Sequence, residues 1–77
     1  MDIKEVNAIG VRFSKDGEER FYANLGREFE RYGKKYHEFV EMVSNPTPHD
    51  IWAISQEYFD KCVESGMVRV VQRFCDM

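Results

Sequence analysis

The sequence predicts a small α+β domain in which two helices pack on one face of a three-stranded sheet. Three observations favour this fold. Apolar and polar residues alternate on both sides of an Asp-Gly turn near the start of the chain, and a second alternating segment lies near its end. Between them, apolar residues recur at helical spacing in two stretches. The predicted order is strand-strand-helix-helix-strand, in a single compact domain over residues 1–77.

The first two strands are predicted to form a hairpin, from about Val6 to Ser14 and from about Glu18 to Leu25. Asp16-Gly17 between them is a turn signal, because glycine adopts the positive φ that tight hairpins need. A two-residue loop would mix apolar and polar side chains on both faces of the hairpin. A three-residue loop over residues 15–17 avoids this mixing and is the predicted connection, with Gly17 at positive φ.

The predicted register places Val11 opposite Phe21 on the buried face of the sheet. On the outer face it places Arg12 opposite Arg20, where facing like charges are mildly destabilising. Each strand is therefore expected to have one apolar face and one face that carries arginine.

A first helix is predicted over about Arg27 to Ser44, and Asn45-Pro46 ends it, because the residue before a proline avoids helical angles. Gly33 interrupts it at a cost of about 1 kcal/mol relative to alanine. The apolar residues at helical spacing are Phe29, Tyr32, Tyr36, Phe39, Val40 and Val43.

A second helix is predicted to begin after Thr47, which would act as the N-cap, with Pro48 in the first helical position and Asp50 completing a capping box. This helix is expected to run to about Ser65, where Gly66 ends it.

The last strand is predicted over Met67 to Phe74. Counting chain reversals makes it antiparallel to the second strand and parallel to the first. It can pair with either one, and we favour the first. The helices should then cover one face of the sheet and leave the other exposed.

Composition excludes several classes of protein. The net charge is -3 and the pI about 5.3, which argues against overall attraction to nucleic acid or an anionic membrane. The sequence lacks an apolar run near the ~20 residues that span a bilayer, and its charged first residues lack the core of a signal peptide. Cys62 and Cys75 have no CxxC spacing. These features favour a cytoplasmic protein without membrane contact.

The predicted partner-binding surface is the outer face of the sheet. The simplest interpretation is an ordinary solvated face whose charges are balanced by the acidic chain. Because guanidinium groups recognise carboxylates and phosphates with two parallel hydrogen bonds, an acidic protein is the favoured partner if the face binds one, and nucleic acid is the alternative. A single exposed aromatic weakens the nucleic-acid interpretation, since stacking platforms usually have two or more. The candidate residues are Arg12, Arg20, Tyr22, Asn24, Arg69 and Arg73.

The pattern of reactive residues indicates no metal site, no cofactor and no catalytic group. His37 and His49 are the two imidazoles, and neither has a second ligand at metal-binding spacing. No nucleophile is placed beside either histidine, so an enzyme is the third hypothesis. Cys62 falls among buried positions and is expected to pack in the core, whereas Cys75 is a spare thiol.

The predicted function is a small non-enzymatic protein-binding regulator or inhibitor. Its charge divides into an arginine-bearing sheet face and a more acidic helical side, which favours oriented docking. Small acidic domains among phage- and plasmid-encoded inhibitors offer an analogy for such a role. A homodimer through Val71 or through a free strand edge is also compatible with the pattern.

Overall fold

The structure is a computed structural model that describes residues 1–13 and 16–74. These residues form a five-stranded antiparallel sheet with the spatial order β4-β3-β2-β1-β5, and one α-helix lies on one of its faces. Single turns of 3-10 helix, Ile3–Glu5 and Pro48–Asp50, precede β1 and β4. The strands are β1 (Val6–Arg12), β2 (Glu19–Arg31), β3 (Lys34–Glu41), β4 (Ile51–Ser55) and β5 (Val68–Arg73), and the helix is α1 (Gln56–Ser65).

The predicted three-stranded sheet with two helices is therefore wrong, and the first predicted helix accounts for most of the error. Its residues form the end of β2, a tight turn and β3. Tyr32 and Gly33 both have positive φ, at 56° and 73°, and join the paired residues Arg31 and Lys34. Two successive positive φ values are typical of a two-residue hairpin whose twist matches the flanking strands. Gly33 is thus a turn residue rather than a flaw in a helix.

The second predicted helix is replaced by a strand and a shorter helix. The capping box of Thr47 and Asp50 is present, but it caps one 3-10 turn, and the chain then extends at Ile51 into β4. The α-helix begins at Gln56, where Ser55 is the N-cap and its hydroxyl accepts a hydrogen bond from the backbone N–H of Tyr58 at 3.2 Å. The predicted stop at Gly66 is confirmed, with a φ of 83°.

The register of the first hairpin differs from the prediction by one residue. Val11 lies opposite Arg20, and Arg12 lies opposite Glu19. The backbone N–H of Phe13 donates to the carbonyl oxygen of Glu18 at 3.3 Å, so the loop is one residue longer than predicted. A slip of one residue turns every side chain of a strand to the other face. Gly17 has the predicted positive φ, and the predictions that involve Ser14 and Lys15 lie outside the described residues.

The fifth strand lies beside β1, as predicted, but runs antiparallel to it. Gly10 pairs with Arg69, and Val11 pairs with Val68. The predicted parallel direction is wrong because four elements, rather than the predicted three, lie between β1 and β5, which adds one chain reversal. The helix carries the chain from one edge of the sheet, β4, to the opposite edge, β5.

The core lies between α1 and one face of the sheet. Phe39 is completely buried there, and Phe59 and Cys62 of α1 pack against the same cluster. The remaining buried members are Ile3, Val6, Ile9, Val11, Ile54 and Val68. A ten-residue helix is about 15 Å long and five strands span about 20 Å, so α1 covers only part of this face. Among the described residues, no helix is long and apolar enough to cross a bilayer.

Candidate functional site

The face of the sheet that points away from α1 carries no helix in the described part of the chain, and side chains on it range from buried, as for Ala8 at 4 % exposure, to exposed. Ile9 and Val11 of β1 face the helix and are buried in the core, so Ala8 and Gly10 between them point to the other side. The strand pairing extends this assignment across the sheet. We call this surface the open face, formed by Ala8, Gly10, Phe21, Ala23, Val40, Met42, Ile51 and Val71.

The centre of the open face is a continuous apolar row. Ala8 lies opposite Ala23, Ala23 opposite Val40, and Val40 opposite Ile51, so four neighbouring strands each contribute one apolar side chain at the same level. Larger side chains stand beside this row. Phe21 is 41 % exposed, Met42 54 % and Val71 45 %. The solvent-exposed face of a sheet normally carries polar residues. The open face carries apolar residues at these positions instead.

Two ion pairs lie on the same side of the sheet. The Glu19 side chain crosses β1 over Gly10, where a Cβ atom would collide with it, and accepts a hydrogen bond from Arg69 Nη2 at 2.8 Å. Near the other end, Arg27 Nε lies 3.1 Å from Glu38 Oε2. Gly10 thus allows a carboxylate on β2 to reach across one strand to β5. Each arginine is paired with a carboxylate of the chain. The pair has no net charge with which to attract a phosphate or an acidic protein.

The six residues predicted to bind a partner do not share one surface. Arg12 and Arg69 lie on the side of the open face. Arg20, at the helix side of β2, places its guanidinium 5.2 Å from the centre of the Phe13 ring. Arg73 ends β5 opposite Val6. The arginine face predicted from the sequence is therefore not assembled.

The other two predicted residues belong to the helix side of β2 and make contacts within the chain. The side-chain amide of Asn24 donates to the carbonyl oxygens of Val6 at 2.8 Å and of Ile3 at 3.4 Å, and its own oxygen accepts from Gly26 N–H at 2.8 Å. Tyr22 packs against Trp52, with ring centres 5.6 Å apart. Asn24 therefore ties β2 to the start of the chain.

The two histidines differ in position and in burial. His37 is on β3, opposite Ile54, and is buried at 6 % exposure, whereas the helix prediction had placed it on a polar side. His49 lies in the exposed 3-10 turn before β4. Within residues 1–13 and 16–74, no three His, Cys, Asp or Glu side chains come together in a way that could hold a metal ion. Cys62 is a buried thiol, and Cys75 lies outside the described residues.

Comparison of the chain with known protein families, with curated proteins and with solved structures finds no match.

His37 predicts a dependence of stability on pH. Burial lowers the pKa of His37 below its usual 6.5, and Lys4 and Lys35 also lower it, while Glu28 at 3.7 Å and Asp2 oppose the shift. The folded chain then binds a proton less readily than the unfolded chain. The free energy of unfolding should be highest above pH 6.5 and fall as the pH drops towards the lowered pKa. Urea titrations at intervals between pH 7.5 and 5.5 measure this slope.

The matched variants are His37→Gln and His49→Gln. The first should flatten the pH dependence in this range, while the second should keep it, because His49 is exposed. Glu57, whose pKa Lys34 and Lys61 lower, titrates below this window. If the free energy of unfolding of His37→Gln depends on pH as steeply as that of the wild type, the pH dependence does not arise from His37.

Proposed function

We propose that the protein is a non-enzymatic protein-binding module that docks a different protein on its open face and so regulates that partner. The observation that carries the proposal is the apolar row across four strands, with Phe21, Met42 and Val71 exposed beside it. Exposed side chains of this kind lose water contact when a second surface covers them, which favours association. A cytoplasmic location is part of the proposal, supported by the free thiol of Cys62.

The size of the open face is consistent with a binding surface. Five strands about 4.8 Å apart and strand segments of six residues give an area of roughly 20 by 20 Å. Contiguous apolar patches of about 300–600 Å² on small proteins are often interaction sites. An interface built on this area alone buries about 800 Å² in total over the two partners, which lies at the low end of transient complexes. Binding that is readily reversed suits a regulator.

The charges of the open face indicate the chemistry of the partner. Arg69 and Arg27 are already paired with Glu19 and Glu38, so a strongly charged partner would gain little from them. The partner should present a flat, largely apolar surface whose polar groups fall at the rim. Nucleic-acid binding has less support, because Arg20, Tyr22 and Asn24 lie on the other side of the sheet from Arg12 and Arg69.

Phe21→Asp should abolish partner binding. A buried carboxylate at the centre of an apolar contact is costly, and a central aromatic side chain typically contributes about 2 kcal/mol or more to an interface, which is roughly thirtyfold in affinity. The wild type and the variant are used as bait in a nuclease-treated lysate, and the retained protein is then purified and its Kd measured by calorimetry. The expected result is a partner that the wild type retains and Phe21→Asp loses.

The control is Tyr32→Asp, because Tyr32 is 89 % exposed at the tip of the β2–β3 hairpin and is not part of the open face. Circular dichroism shows whether each variant is folded, and Val71→Asp tests the same face from β5. Equal retention by the wild type and both open-face variants would refute the proposal. So would a wild type that sediments as a dimer and a Phe21→Asp variant that sediments as a monomer, since the occupant would then be a second copy.

A further inference from the structure

A second cavity-bearing surface lies on the helix side of the sheet, where α1 leaves the face incompletely covered. The cavity has a volume of about 290 Å³. Its aromatic walls are Tyr22 on β2, Trp52 on β4 and Tyr58 on α1, and further lining comes from Phe13 and Met67. It lies on the opposite side of the sheet from Phe21, and the two surfaces share only Ile51, on the edge strand β4.

The three aromatic walls meet at steep angles. The rings of Tyr22 and Trp52 have centres 5.6 Å apart and planes inclined by 54°. The rings of Trp52 and Tyr58 have centres 6.4 Å apart and planes at 87°. At these distances the rings of each pair are in contact, and all three side chains also line the cavity. Trp52 is only half-buried and Tyr58 is 46 % exposed, so the pocket opens to solvent.

Two carboxylates, Glu41 and Asp50, line this cavity together with His49. Glu41 ends β3 directly opposite Tyr22, and Asp50 belongs to the 3-10 turn before β4. Burial raises the pKa of the Tyr22 phenol, and Glu41 and Asp50 raise it further, while Arg20 lowers it by less than Glu41 raises it and by more than Asp50 does. Asp50 accepts hydrogen bonds from Thr47. Glu41 has no side-chain hydrogen bond or ion pair with any other residue in the described ranges 1–13 and 16–74.

Aromatic faces and carboxylates together select one kind of ligand. The face of an aromatic ring is electronegative and attracts a cation, and the attraction is strongest where the cation is poorly hydrated. Methylated ammonium groups are such cations, because their charge is spread over an apolar shell that also packs against the rings. An inorganic anion would be repelled by Glu41 and Asp50, and a neutral apolar ligand would leave Glu41 without a counter-charge.

We propose that this cavity binds a trimethylammonium group, with Tyr22, Trp52 and Tyr58 around the methyl groups and Glu41 as the counter-charge. The group could come from a small quaternary ammonium compound or from a trimethylated lysine side chain of a protein. Both sources present the same cation to the same walls. They differ in whether residues beside the cation also contact the protein.

The fluorescence of Trp52 tests the proposal directly, because it is the only tryptophan of the chain. Choline chloride is titrated at constant ionic strength, with sodium chloride as the salt control. The neutral isostere 3,3-dimethyl-1-butanol has the same shape without the charge. We expect a saturable change in Trp52 fluorescence with choline. The affinity for the alcohol should be at least about tenfold weaker than the affinity for choline. No saturation with choline, or equal affinity for the alcohol, would overturn the proposal.

Two isosteric variants test the assigned residues. Glu41→Gln should weaken choline binding about fivefold to tenfold, whereas Glu38→Gln, on the opposite side of the sheet and paired with Arg27, should leave it unchanged. An unchanged affinity in Glu41→Gln would overturn the role of Glu41 and with it the proposed site. Thermal melts of both variants check that the fold is kept.

The source of the cation is distinguished with a peptide that contains trimethyllysine. Binding of this peptide at least tenfold tighter than choline supports a protein ligand, and equal binding supports a small-molecule ligand. The Phe21→Asp variant should bind choline like the wild type, because Phe21 lies on the open face. Loss of partner binding and loss of choline binding therefore report on two separate surfaces.

Discussion

Phe39→Ala is expected to lower the free energy of unfolding by about 3–5 kcal/mol. Phe39 is completely buried on β3, opposite Trp52 on one side and Asn24 on the other, at the centre of the cluster beneath α1. Removing the ring takes away its packing contacts and leaves a cavity that the sheet cannot close without moving its strands. A domain of 77 residues has a total stability of about 4–12 kcal/mol, so the loss is a large part of it.

The measurement is urea denaturation at pH 7.5 followed by circular dichroism. The matched control is Tyr32→Ala, which also removes an aromatic ring but from a side chain that is 89 % exposed. The control should change stability by no more than about 0.5 kcal/mol. A loss below about 1 kcal/mol in Phe39→Ala would contradict the position of this side chain in the core.

Asn24→Ala is expected to cost about 1–3 kcal/mol, because it removes the donor to the carbonyl oxygen of Val6 and a second, longer contact to the carbonyl oxygen of Ile3, which also accepts from Val6 N–H. Val6 and Ile3 are completely buried, so water cannot readily replace the lost hydrogen bonds. The loss should fall on the 3-10 turn before β1 and on the first residues of that strand. Hydrogen exchange of the amides in this region, together with thermal melts, measures the effect.

Asn24→Asp should be more destabilising than Asn24→Ala. The aspartate keeps the acceptor for Gly26 N–H but places a negative oxygen, in place of a donor, against two carbonyl oxygens. A solvated partner-binding asparagine would give the opposite order, since aspartate is close to asparagine in size and polarity. Equal stability of the wild type and Asn24→Asp would show that the amide is not needed for the fold.

The parts of the fold that were predicted correctly are those fixed by local chemistry. Gly17 and Gly66 have the positive φ expected of them, and the capping box of Thr47 and Asp50 forms. The strands β1 and β5 lie close to their predicted positions, because their alternation of apolar and polar residues is regular. These features depend on a few neighbouring residues and on no distant contact.

The prediction of a helix over residues 27–44 is wrong because the spacing of the apolar residues there fits both the period of a helix and the period of a strand. Phe29, Tyr36 and Phe39 are spaced as on one side of a helix, yet Phe29 and Tyr36 also pair directly across the β2–β3 hairpin, with ring centres 5.5 Å apart. Aromatic residues favour strands, and the Tyr32-Gly33 pair in the middle of the segment was the local signal for a turn. Pairing with β4 and β2 then decided between the two periods.

The candidate site was predicted less well than the fold, because it depended on the register of one hairpin. The choice of a three-residue loop turned Phe21 towards the core and Tyr22 and Asn24 towards solvent. The observed pairing of Val11 with Arg20 reverses all three. Loop length is set by contacts such as the Asp16 carboxylate accepting from Glu18 N–H at 2.9 Å, which residue pattern alone does not determine.

The pairing of β1 with β5 sets the order in which the sheet can be completed. Gly10 and Arg69 pair across the whole β2–β3–β4 meander and α1, so β1 has one unpaired edge until β5 reaches it. Closing such a long loop lowers the entropy of the chain before the stabilising contacts form. Sheets with such distant pairings typically fold in milliseconds to seconds. During synthesis, the growing chain therefore exposes the edge of β1, and β5 completes the sheet as its final step.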